Sequence, residues 1–573
     1  QPMRLEQAQA LADRWCRAVY DVTRAPDQSS SLQVAIANLD EMRAKRGEKP
    51  LVDSPLMVTI VAIVHYNDRR LPDERADLYS RCVDVLLTES YHPDTPASFE
   101  LVDWGGSERV KRSLLAYLAF RLMSAGEESG RSADAVQMRS WLLPQFAKTQ
   151  GEAQAGAAVD VFLQAMCERG SLLDERGGRY QFIHLTFQEF LCAAHLVDTV
   201  RERSEIVRLL FTDGRIAQSW WRETVLLTVG YMGLDSIDAP LALVQTLATQ
   251  PAEASVTVGA AEVTGVAFLE QNGVDAATRK LLCERLVALI TDPTHPGSPE
   301  QRLVAGKALA QLGDPRPGVG VRARYSVPVP DIDWVMIPER DAQGRREFVY
   351  GEKGEKRSEA TFWMARYPVT YRQFQAFVDD PDGLSNSDWW QGLAHTDNRA
   401  REQRFKFWNH PRENVTWYQA MAFCRWLTAK AEADPSHLPA DLPEGRWRIS
   451  LPTEWQWEKA ARGHDGRVYP WGPKYIQGYA NVAKDGPHNL QSSSAVGLYP
   501  QGVSPWGILD LSGNVWEWCL NEYSNPQRVG ESGDETRVLR GGAWFWEADR
   551  AKTSARPRFN PRNRNYPLFR NNY

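Results

Sequence analysis

The last stretch of the chain, from Leu539 to Tyr573, is rich in side chains suited to binding a partner. It reads LRGGAWFWEADRAKTSARPRFNPRNRNYPLFRNNY and holds Arg, Asn and aromatic residues, with few aliphatic residues and no cysteine. Aromatic rings supply rigid contact area, while Arg and Asn supply adaptable hydrogen bonds, and together these are the side chains of binding loops. The residue types therefore predict a recognition surface.

Other kinds of chemistry find less support in the sequence. No GxxxxGK[ST] phosphate-binding loop occurs, and GEKGEKRS at 351–358 has the wrong spacing, so the chain is not expected to bind or hydrolyse ATP. The cysteines show no CxxC spacing, which predicts a reducing, cytoplasmic setting without structural zinc or a disulfide framework. The seven cysteines are Cys16, Cys82, Cys167, Cys192, Cys283, Cys424 and Cys519.

Composition indicates a multidomain globular protein. The chain has 573 residues, 43% of them hydrophobic and 24% charged, with a net charge of −6 that gives no global attraction to nucleic acid. The longest apolar run, from Ser54 to Tyr66, is too short to span a bilayer, so a membrane partner is not expected. Because Gln1 lies inside a helical pattern and is not Met, we expect a longer parent protein.

Tryptophan marks the main internal boundary. Five of the 21 Trp precede position 330 and sixteen follow it, and the junction LGDPRPGVGVRARYSVPVPDIDW has too many Pro and Gly to continue a helix. Before the junction the pattern is helical. After it, short β and aromatic motifs alternate with helices, and Thr370 and Thr416 are placed to cap two of those helices.

Two N-terminal segments carry a family resemblance. The first, SPLMVTIVAIVHYNDRRLPDERADLYSRCVDVLLTE, predicts two helices. The second, GSLLDERGGRYQFIHLTFQEFLCAAHLV, predicts a hairpin turning at Gly177-Gly178 and then a helix. They resemble the helical and winged-helix regions that follow the nucleotide-binding core of NACHT-type STAND NTPases.

His184 is interpreted as a hydrogen-bonded residue at a strand end in preference to a pH switch.

The resemblance leads to a division into domains. We expect a STAND/NACHT-type helical region over 1–100, a winged-helix-like region over 101–204 and a helical spacer over 205–324. The spacer resembles HEAT-type helical pairs, and a plain helical linker is an equal alternative.

The C-terminal motifs carry a second resemblance. RISLPTEWQWEKAARG, YPWG, GNVWEW and RVLRGGAW, in this order, resemble the formylglycine-generating-enzyme/sulfatase-modifying-factor domain, a version of the C-type lectin fold, over 325–573. The predicted fold class is multidomain, with an all-α N-terminal part and an α+β C-terminal domain.

Glu454, Glu458 and Arg540 are expected to fix loops as buried ion pairs, and Glu517, Gly513, Gly541 and Gly542 are assigned to the scaffold as well.

The same resemblance separates this chain from oxidases of that family. Their chemistry requires two cysteines after the RGG motif, and Trp546 and Ala551 occupy those positions here. Cys424 and Cys519 are expected to be packed, and the His-rich helical domain of iron-dependent relatives is missing. The chain is therefore expected not to be an enzyme. The alternative is a formylglycine-generating or related modifying enzyme with a site of another kind.

The resemblance also implies one metal site and no required cofactor. Family members bind calcium around the GNxWE loop, which maps to the side chains of Asp510 and Glu517 and the carbonyls of Gly513 and Val515. A second family calcium site begins at a step matched by Asn481-Val482, but its downstream Asp has no counterpart.

The C-terminal segment resembles the variable proteins of diversity-generating retroelements, whose Asn codons are rewritten. These features predict the sensor part of a NACHT/STAND receptor for prokaryotic defence. It would bind a protein or other macromolecule, not nucleic acid, and would oligomerise through an NTPase outside this chain. The predicted ligand-binding residues are Phe545, Trp546, Glu547, Asp549, Phe559, Asn560, Asn563, Asn565 and Tyr566.

Overall fold

The structure, a computed structural model, divides the chain into two compact units, Gln1–Val274 and Asp275–Tyr573. The described residues are 3–45, 55–68, 75–87, 106–168, 172–271, 275–294, 297–322, 327–443, 445 and 447–562. None of the described helices is long and apolar enough to cross a membrane.

The first unit is built from helices and one small sheet. In chain order its first helices are α1 (Leu5–Val19), α2 (Ala25–Lys45), α3 (Pro55–Asp68), α4 (Arg75–Leu87), α5 (Glu108–Ser124), α6 (Gly126–Ser129), α7 (Ala135–Gln150), α8 (Glu152–Glu168) and α9 (Leu185–His195). The strands are β1 (Ala133–Asp134), β2 (Leu173–Arg176) and β3 (Arg179–Phe182), in the antiparallel order β1-β3-β2. Helices α5 and α9 pack together, as do α7 and α8.

The predicted hairpin and helix of the winged-helix region are present. Gly177 and Gly178 have φ of 60° and 78°, a left-handed turn that residues with a Cβ adopt at a cost. His184 then caps α9, its Nδ1 accepting a hydrogen bond from the Thr186 N–H at 3.3 Å. The interpretation of His184 as a hydrogen-bonded residue next to the strand is therefore confirmed.

Four further helices complete the first unit: α10 (Arg203–Phe211), α11 (Arg222–Met232), α12 (Ala239–Thr249) and α13 (Ala254–Glu270). Helix α11 packs against α9, α12 and α13, so it joins the winged-helix region to the helices that follow. A buried ion pair reinforces this junction, because the Arg75 guanidinium contacts Glu223 at 2.8 Å and Glu270 at 2.6 Å.

The next two helices, α14 (Ala276–Thr291) and α15 (Pro299–Leu312), belong to the second unit. The segment expected as a spacer, 205–324, is thus divided between the two units. The physical reason is the packing of α15: the Arg302 guanidinium donates to the Leu498 carbonyl at 2.9 Å, and Asn409 donates to the Gly306 carbonyl at 2.9 Å. The predicted boundaries after residues 100, 204 and 324 remain predictions.

The described remainder of the second unit contains three α-helices, several short 3-10 helices and short antiparallel strands. The α-helices are α16 (Tyr371–Asp379), α17 (Trp417–Ala433) and α18 (Glu454–Arg462). The strands are β4 (Val321–Arg322), β5 (Val329–Pro330), β6 (Trp334–Ile337), β7 (Phe348–Tyr350), β8 (Glu355–Arg357), β9 (Phe362–Ala365), β10 (Glu517–Glu522), β11 (Arg537–Arg540) and β12 (Arg558–Phe559). β10, β11 and β12 form a three-stranded sheet, and β4-β5, β6-β9 and β7-β8 are pairs.

Both predicted threonine caps are observed. The Thr370 and Thr416 hydroxyls accept hydrogen bonds from the third residue of α16 and α17, and each motif is a complete capping box. The two helices bury aromatic faces against each other, with Phe374 and Phe423 stacked at 5.4 Å. The predicted layout, a helical N-terminal part followed by a sheet-containing C-terminal domain, is confirmed.

A buried charge network fixes the loops around the sheet. Arg540 contacts Glu454 at 3.2 Å and Glu458 at 2.9 Å, and none of the three side chains is more than 1% exposed. Arg556 reaches the same Glu454 from the other side. Paired and hydrogen-bonded charges of this kind hold backbone segments that have no regular ladder.

Candidate recognition surface

The three-stranded sheet positions the aromatic residues of the C-terminal segment. After β11 the chain turns at Gly541 and Gly542, whose φ values are 95° and 86°, and a Cβ on Gly542 would lie 2.9 Å from the Ala551 Cα. Only glycine fits such a left-handed, closely packed turn without strain. The turn directs the next residues over the sheet, where Ala543 is buried with Trp516 and Leu539.

Three of the predicted binding residues meet on this sheet. Phe545, Trp546 and Phe559 all pack against the same buried cluster, and all three are half-buried. The Phe545 and Trp546 ring centroids are 6.0 Å apart. Phe559 reaches the cluster from β12, where it pairs with Arg537.

The Trp546 main chain is fixed by a hydrogen bond, whereas its indole N–H donates none to the described residues. Its carbonyl accepts a hydrogen bond from the Ala483 N–H at 2.8 Å, and the Arg550 guanidinium lies 5.7 Å from its ring centre. The indole Nε1–H is buried and has no hydrogen-bond partner among the described residues. A buried donor without an acceptor is costly, so an acceptor supplied by a ligand would be favourable there.

The predicted charged residues lie at the rim in exposed ion pairs. Glu547 contacts Lys484, and Asp549 contacts Lys552 at 2.8 Å. The hydrogen bond from Lys552 lowers the pKa of Asp549. Exposed pairs of this kind are weak in water, so a ligand would break them at little cost.

The remaining predicted positions are only partly described. The Asn560 side chain accepts a hydrogen bond from the Arg562 N–H at 2.9 Å and is exposed beyond β12. Asn563, Asn565 and Tyr566 lie outside the described residues. Their participation in the surface stays a prediction.

Sequence reasoning missed one neighbour of these aromatic residues, the segment 401–408. Phe405 meets Trp544 edge-on at 5.7 Å, and the Arg404 guanidinium lies 5.0 Å from the Phe405 ring centre and 5.3 Å from that of Trp544. A signal was present: of the ten residues 399–408, four are Arg or Lys and three are Phe or Trp. What the sequence lacked was any sign of proximity to Trp544.

The positions that correspond to the family's cysteine pair hold no thiol. Trp546 lies in the aromatic cluster, and Ala551 is buried against the Gly542 turn, its carbonyl accepting a hydrogen bond from Ser512. Cys424 and Cys519 are both buried. Burial raises the pKa of Cys424 to about 12 and that of Cys519 well above its usual value, so both are neutral thiols at physiological pH.

One serine–histidine contact occurs below this surface. The Ser493 hydroxyl lies 3.1 Å from His410 Nδ1, and both residues are fully buried. Burial, with the nearby Lys307 charge, lowers the pKa of His410 to about 3. With no exposure to solvent, this pair is packed interior and offers no access to a substrate.

A mainly apolar cavity of about 710 Å³ also lies in the second unit. Its walls come from β9, α17 and β10, for example Phe362, Leu427 and Trp518. None of the six described residues of the predicted surface lines it, although Trp516, on which the surface aromatics pack, does.

Two of the oxygens predicted to hold calcium, Glu517 Oε1 and the Val515 carbonyl, lie close to Gly541. Glu517 Oε1 is buried and has no hydrogen-bond partner among the described residues. If Gly541 carried a Cβ, that atom would lie 3.7 Å from Glu517 Oε1 and 3.6 Å from the Val515 carbonyl oxygen. The two oxygens therefore lie on the same side of Gly541. The described residues hold no cluster of three or more His, Cys, Asp or Glu, so main-chain carbonyls would have to complete the ligand set.

Both carboxyls predicted to bind calcium have raised pKa values, because burial outweighs their hydrogen bonds and, for Asp510, the nearby Arg316 charge. Burial raises the pKa of Glu517 to about 8, and the neighbouring Asp510 carboxylate raises it further. Burial raises the pKa of Asp510 to about 6, although the Gly497 N–H, at 2.6 Å, opposes the shift. The residues present therefore fit a calcium ion.

Two parts of the chain match known domain families. Residues 333–568 match the sulfatase-modifying factor enzyme 1-like domain, and residues 75–196 match the winged helix-turn-helix domain C-terminal to NACHT. The chain therefore carries both domains, and both resemblances predicted from its motifs are confirmed.

Two relatives each match less than half of this chain. Inactive C-alpha-formylglycine-generating enzyme 2 of Mus musculus is 29% identical over 300 residues, covering 47% of this chain and 80% of that protein. Hercynine oxygenase of Mycolicibacterium thermoresistibile is 30% identical over 247 residues, covering 36% of this chain and 48% of the relative. The chain thus spans about half the length of the second relative.

Among solved structures, Treponema denticola variable protein 1 is 22% identical. The match covers 41% of this chain and 92% of that one, with a TM-score of 0.28, a value too low to support an argument.

Proposed function

We propose that this chain is the ligand-binding portion of a NACHT/STAND-type receptor and that its C-terminal surface binds a protein or other macromolecular target. The recognition surface comprises Phe545, Trp546, Glu547, Asp549, Phe559, Asn560, Asn563, Asn565 and Tyr566. The observation that carries the proposal is the meeting of Phe545, Trp546 and Phe559 in one half-buried cluster on the sheet.

The chemistry of this cluster suits binding. Its rings are fixed to the scaffold by the Ala483–Trp546 backbone hydrogen bond and by packing on Trp516 and Leu539, so little conformational entropy would be lost when a ligand docks. The centre is aromatic and the rim, at Glu547 and Asp549, is charged and exposed. A hydrophobic centre with a polar rim is the usual anatomy of a protein-binding site.

The helical unit would relay occupancy of the surface to an N-terminal NTPase outside this chain, as in defence receptors that assemble through that NTPase. Such a relay requires a ligand that binds one of two conformations more tightly than the other. The buried contacts of Arg75 with Glu223 and Glu270 support a relay in which the winged-helix domain moves together with α11 and α13.

A structural calcium ion is part of the proposal. Asp510, Glu517 and the carbonyls of Gly513 and Val515 would hold it, and it would supply positive charge beside the buried Glu517 carboxyl. No other cofactor is proposed.

We further propose that the chain does not catalyse an oxidase reaction. Trp546 and Ala551 replace the family's cysteine pair, and the name of the mouse relative describes an inactive protein. Oxygen consumption with copper and a cysteine-containing peptide is expected to equal the protein-free rate. A protein-dependent rate would restore the formylglycine-generating alternative.

The binding proposal is tested with peptides selected on the wild-type chain from a random-sequence display library. Trp546→Ala, Phe559→Ala and Tyr566→Ala combined are expected to weaken binding of these peptides at least tenfold. Trp389→Ala, which removes a half-buried tryptophan on another element, is the control. Unchanged peptide binding by the triple variant would show that the surface is wrongly assigned.

Diversification of the surface is tested on the gene. Sequencing its 3′ end from many isolates is expected to show substitutions at adenine-rich codons, with a near-copy template and a reverse transcriptase gene nearby. An invariant segment without a template would indicate one dedicated ligand.

A further inference from the structure

We propose that residues 401–408 form a second binding element, the arginine loop, which extends the recognition surface and takes an acidic segment of a protein partner. The inference rests on the proposed function and deepens it by assigning partner chemistry. It depends on one juxtaposition: Arg404 and Phe405 lie against Trp544, which adjoins Phe545.

The rings form one continuous series across the two segments. Phe405 and Trp544 meet at 5.7 Å, Trp544 and Phe545 at 5.1 Å, and Phe545 and Trp546 at 6.0 Å. The interplanar angles of 81°, 73° and 44° show edge-to-face or tilted contacts, which aromatic pairs prefer. A ligand lying along the series would contact both segments.

A guanidinium lies over each end of the series. Arg404 lies over Phe405 and Trp544, and Arg550 lies over Trp546. Both arginines are exposed, and within the described part of the chain neither has a carboxylate at ion-pair distance. A guanidinium stacked on a ring keeps its edge N–H donors free, and this edge matches the two oxygens of a carboxylate.

The arginine loop is ordered before any partner arrives. Gln403, which is 2% exposed, donates to the Pro411 carbonyl at 2.8 Å and accepts from the Glu413 N–H at 3.0 Å. The Asn414 side chain donates to the Glu402 carbonyl at 3.1 Å. Because these bonds fix the base of the loop, little conformational entropy of the loop would be lost when a partner binds.

Charge identifies the partner as acidic. Residues 401–408 contain three Arg or Lys and one Glu, in a chain whose net charge is −6, so the loop is a local basic patch on an acidic protein. A protein segment is favoured over nucleic acid because the basic groups form a short patch that Glu547 and Asp549 interrupt, whereas a phosphate backbone is bound along a continuous row of positive charge. A peptide that alternates carboxylates with apolar side chains fits both the guanidinium groups and the rings.

The experiment measures fluorescence anisotropy of the full chain with three probes. These are a fluorescein-labelled peptide of alternating Glu and Tyr, the matching Gln and Tyr peptide, and an oligothymidylate of equal charge to the first. We expect the Glu/Tyr peptide to bind at least tenfold more tightly than either of the others. Its affinity is expected to fall as salt is raised.

Variants then locate the binding. Arg404→Ala is expected to weaken the Glu/Tyr peptide about fivefold and Arg404→Lys by less, because Lys keeps the charge but loses the planar fork. Arg340→Ala is the matched control, since Arg340 is also exposed and is not in an ion pair within the described residues. Phe405→Ala tests the ring contact independently of charge.

Each outcome has a defined meaning. If Arg404→Ala and Phe405→Ala bind like wild type while Trp546→Ala loses the peptide, the inference is overturned and the proposed function stands. If Arg404→Ala weakens binding and Trp546→Ala does not, the arginine loop is supported and the surface of the proposed function fails. Preferential binding of the oligothymidylate, or no binding of the Glu/Tyr peptide, overturns the inference.

Discussion

The side-chain amide of Asn409 donates a hydrogen bond to the main-chain carbonyl of Gly306 at 2.9 Å. This bond joins the middle of α15 to the loop that follows the arginine loop. Gly306 permits the close approach, since a Cβ there would lie 2.9 Å from the Ala495 Cβ. Helix α15 is therefore fitted to the C-terminal domain, and α14 and α15 belong to the second unit.

Gly306→Ala is expected to destabilise the second unit, although glycine to alanine inside a helix usually stabilises by about 0.5–1 kcal/mol. The added methyl would overlap Ala495, and overpacking costs about 1–3 kcal/mol. Urea unfolding of the full chain, followed by the fluorescence of its tryptophans, measures the change. Gly156→Ala on α8, where the Cβ meets only the end of Arg139 at 3.5 Å, is expected to stabilise slightly. A stabilised Gly306→Ala variant would contradict the packing.

The second unit is expected to lose stability as pH falls from 7 to 5, in part through His410. Its folded pKa of about 3 lies below the ordinary value near 6.5, so the unfolded chain takes up a proton that the folded chain does not. The expected loss from this group is about 2 kcal/mol over that range. His410→Gln removes the titration, so the pH-dependent part of the unfolding free energy should shrink by that amount. Equal slopes in both proteins would show that folding does not lower the pKa of His410.

Calcium is expected to raise the melting temperature of the second unit, and a chelator is expected to lower it. A free calcium concentration of 100 times Kd would add about 2.7 kcal/mol to the free energy of unfolding. Glu517→Gln is expected to abolish the calcium-dependent shift, because it replaces the buried carboxylate whose Oε1 has no protein partner among the described residues. Glu547→Gln, at an exposed rim position, should leave the shift intact. Calcium dependence that survives Glu517→Gln would place the ion elsewhere.

Arg75→Ala is expected to destabilise the first unit by about 3–5 kcal/mol, because it removes the guanidinium that pairs with the buried Glu270 carboxylate. The Arg75 side chain is 9% exposed and that of Glu270 is 8% exposed. Hydrogen exchange should rise most in α4 and α13, which the pair joins. Arg81→Ala, which breaks an exposed pair with Asp77 on α4, should have a small effect. Equal effects of the two substitutions would mean that the buried pair does not couple these helices.

Local features of the fold could be predicted from sequence, whereas contacts between distant segments could not. The caps at Thr370 and Thr416 and the turn at Gly177-Gly178 follow from a few neighbouring residues whose backbone preferences are strong. Helical periodicity shows that α15 has a buried face but not which surface covers it. For the same reason the contact of Phe405 with Trp544 was missed, since both residues read as ordinary aromatics until the fold brings them together.

The candidate site shows the same division. The aromatic residues of 545–559 were found because their composition is unusual, and the structure brings Phe545, Trp546 and Phe559 to one cluster. Asn563, Asn565 and Tyr566 were predicted on the same grounds and lie outside the described residues. The calcium ligands came from a family motif, and burial explains the perturbed carboxyls that composition alone does not reveal.

The network of Arg540 and Arg556 with Glu454 places inward-facing anchors in the same stretch of chain as the outward-facing Phe545, Trp546 and Phe559. The proposed recognition would thus use half-buried side chains of a segment whose arginine network, centred on the buried Arg540 and Glu454, fixes the fold. A library randomised at the outward positions, with both arginines kept, would yield many soluble members that differ in what they bind. The domain would therefore suit use as an engineering scaffold, because its binding residues could be changed while its interior residues stay the same.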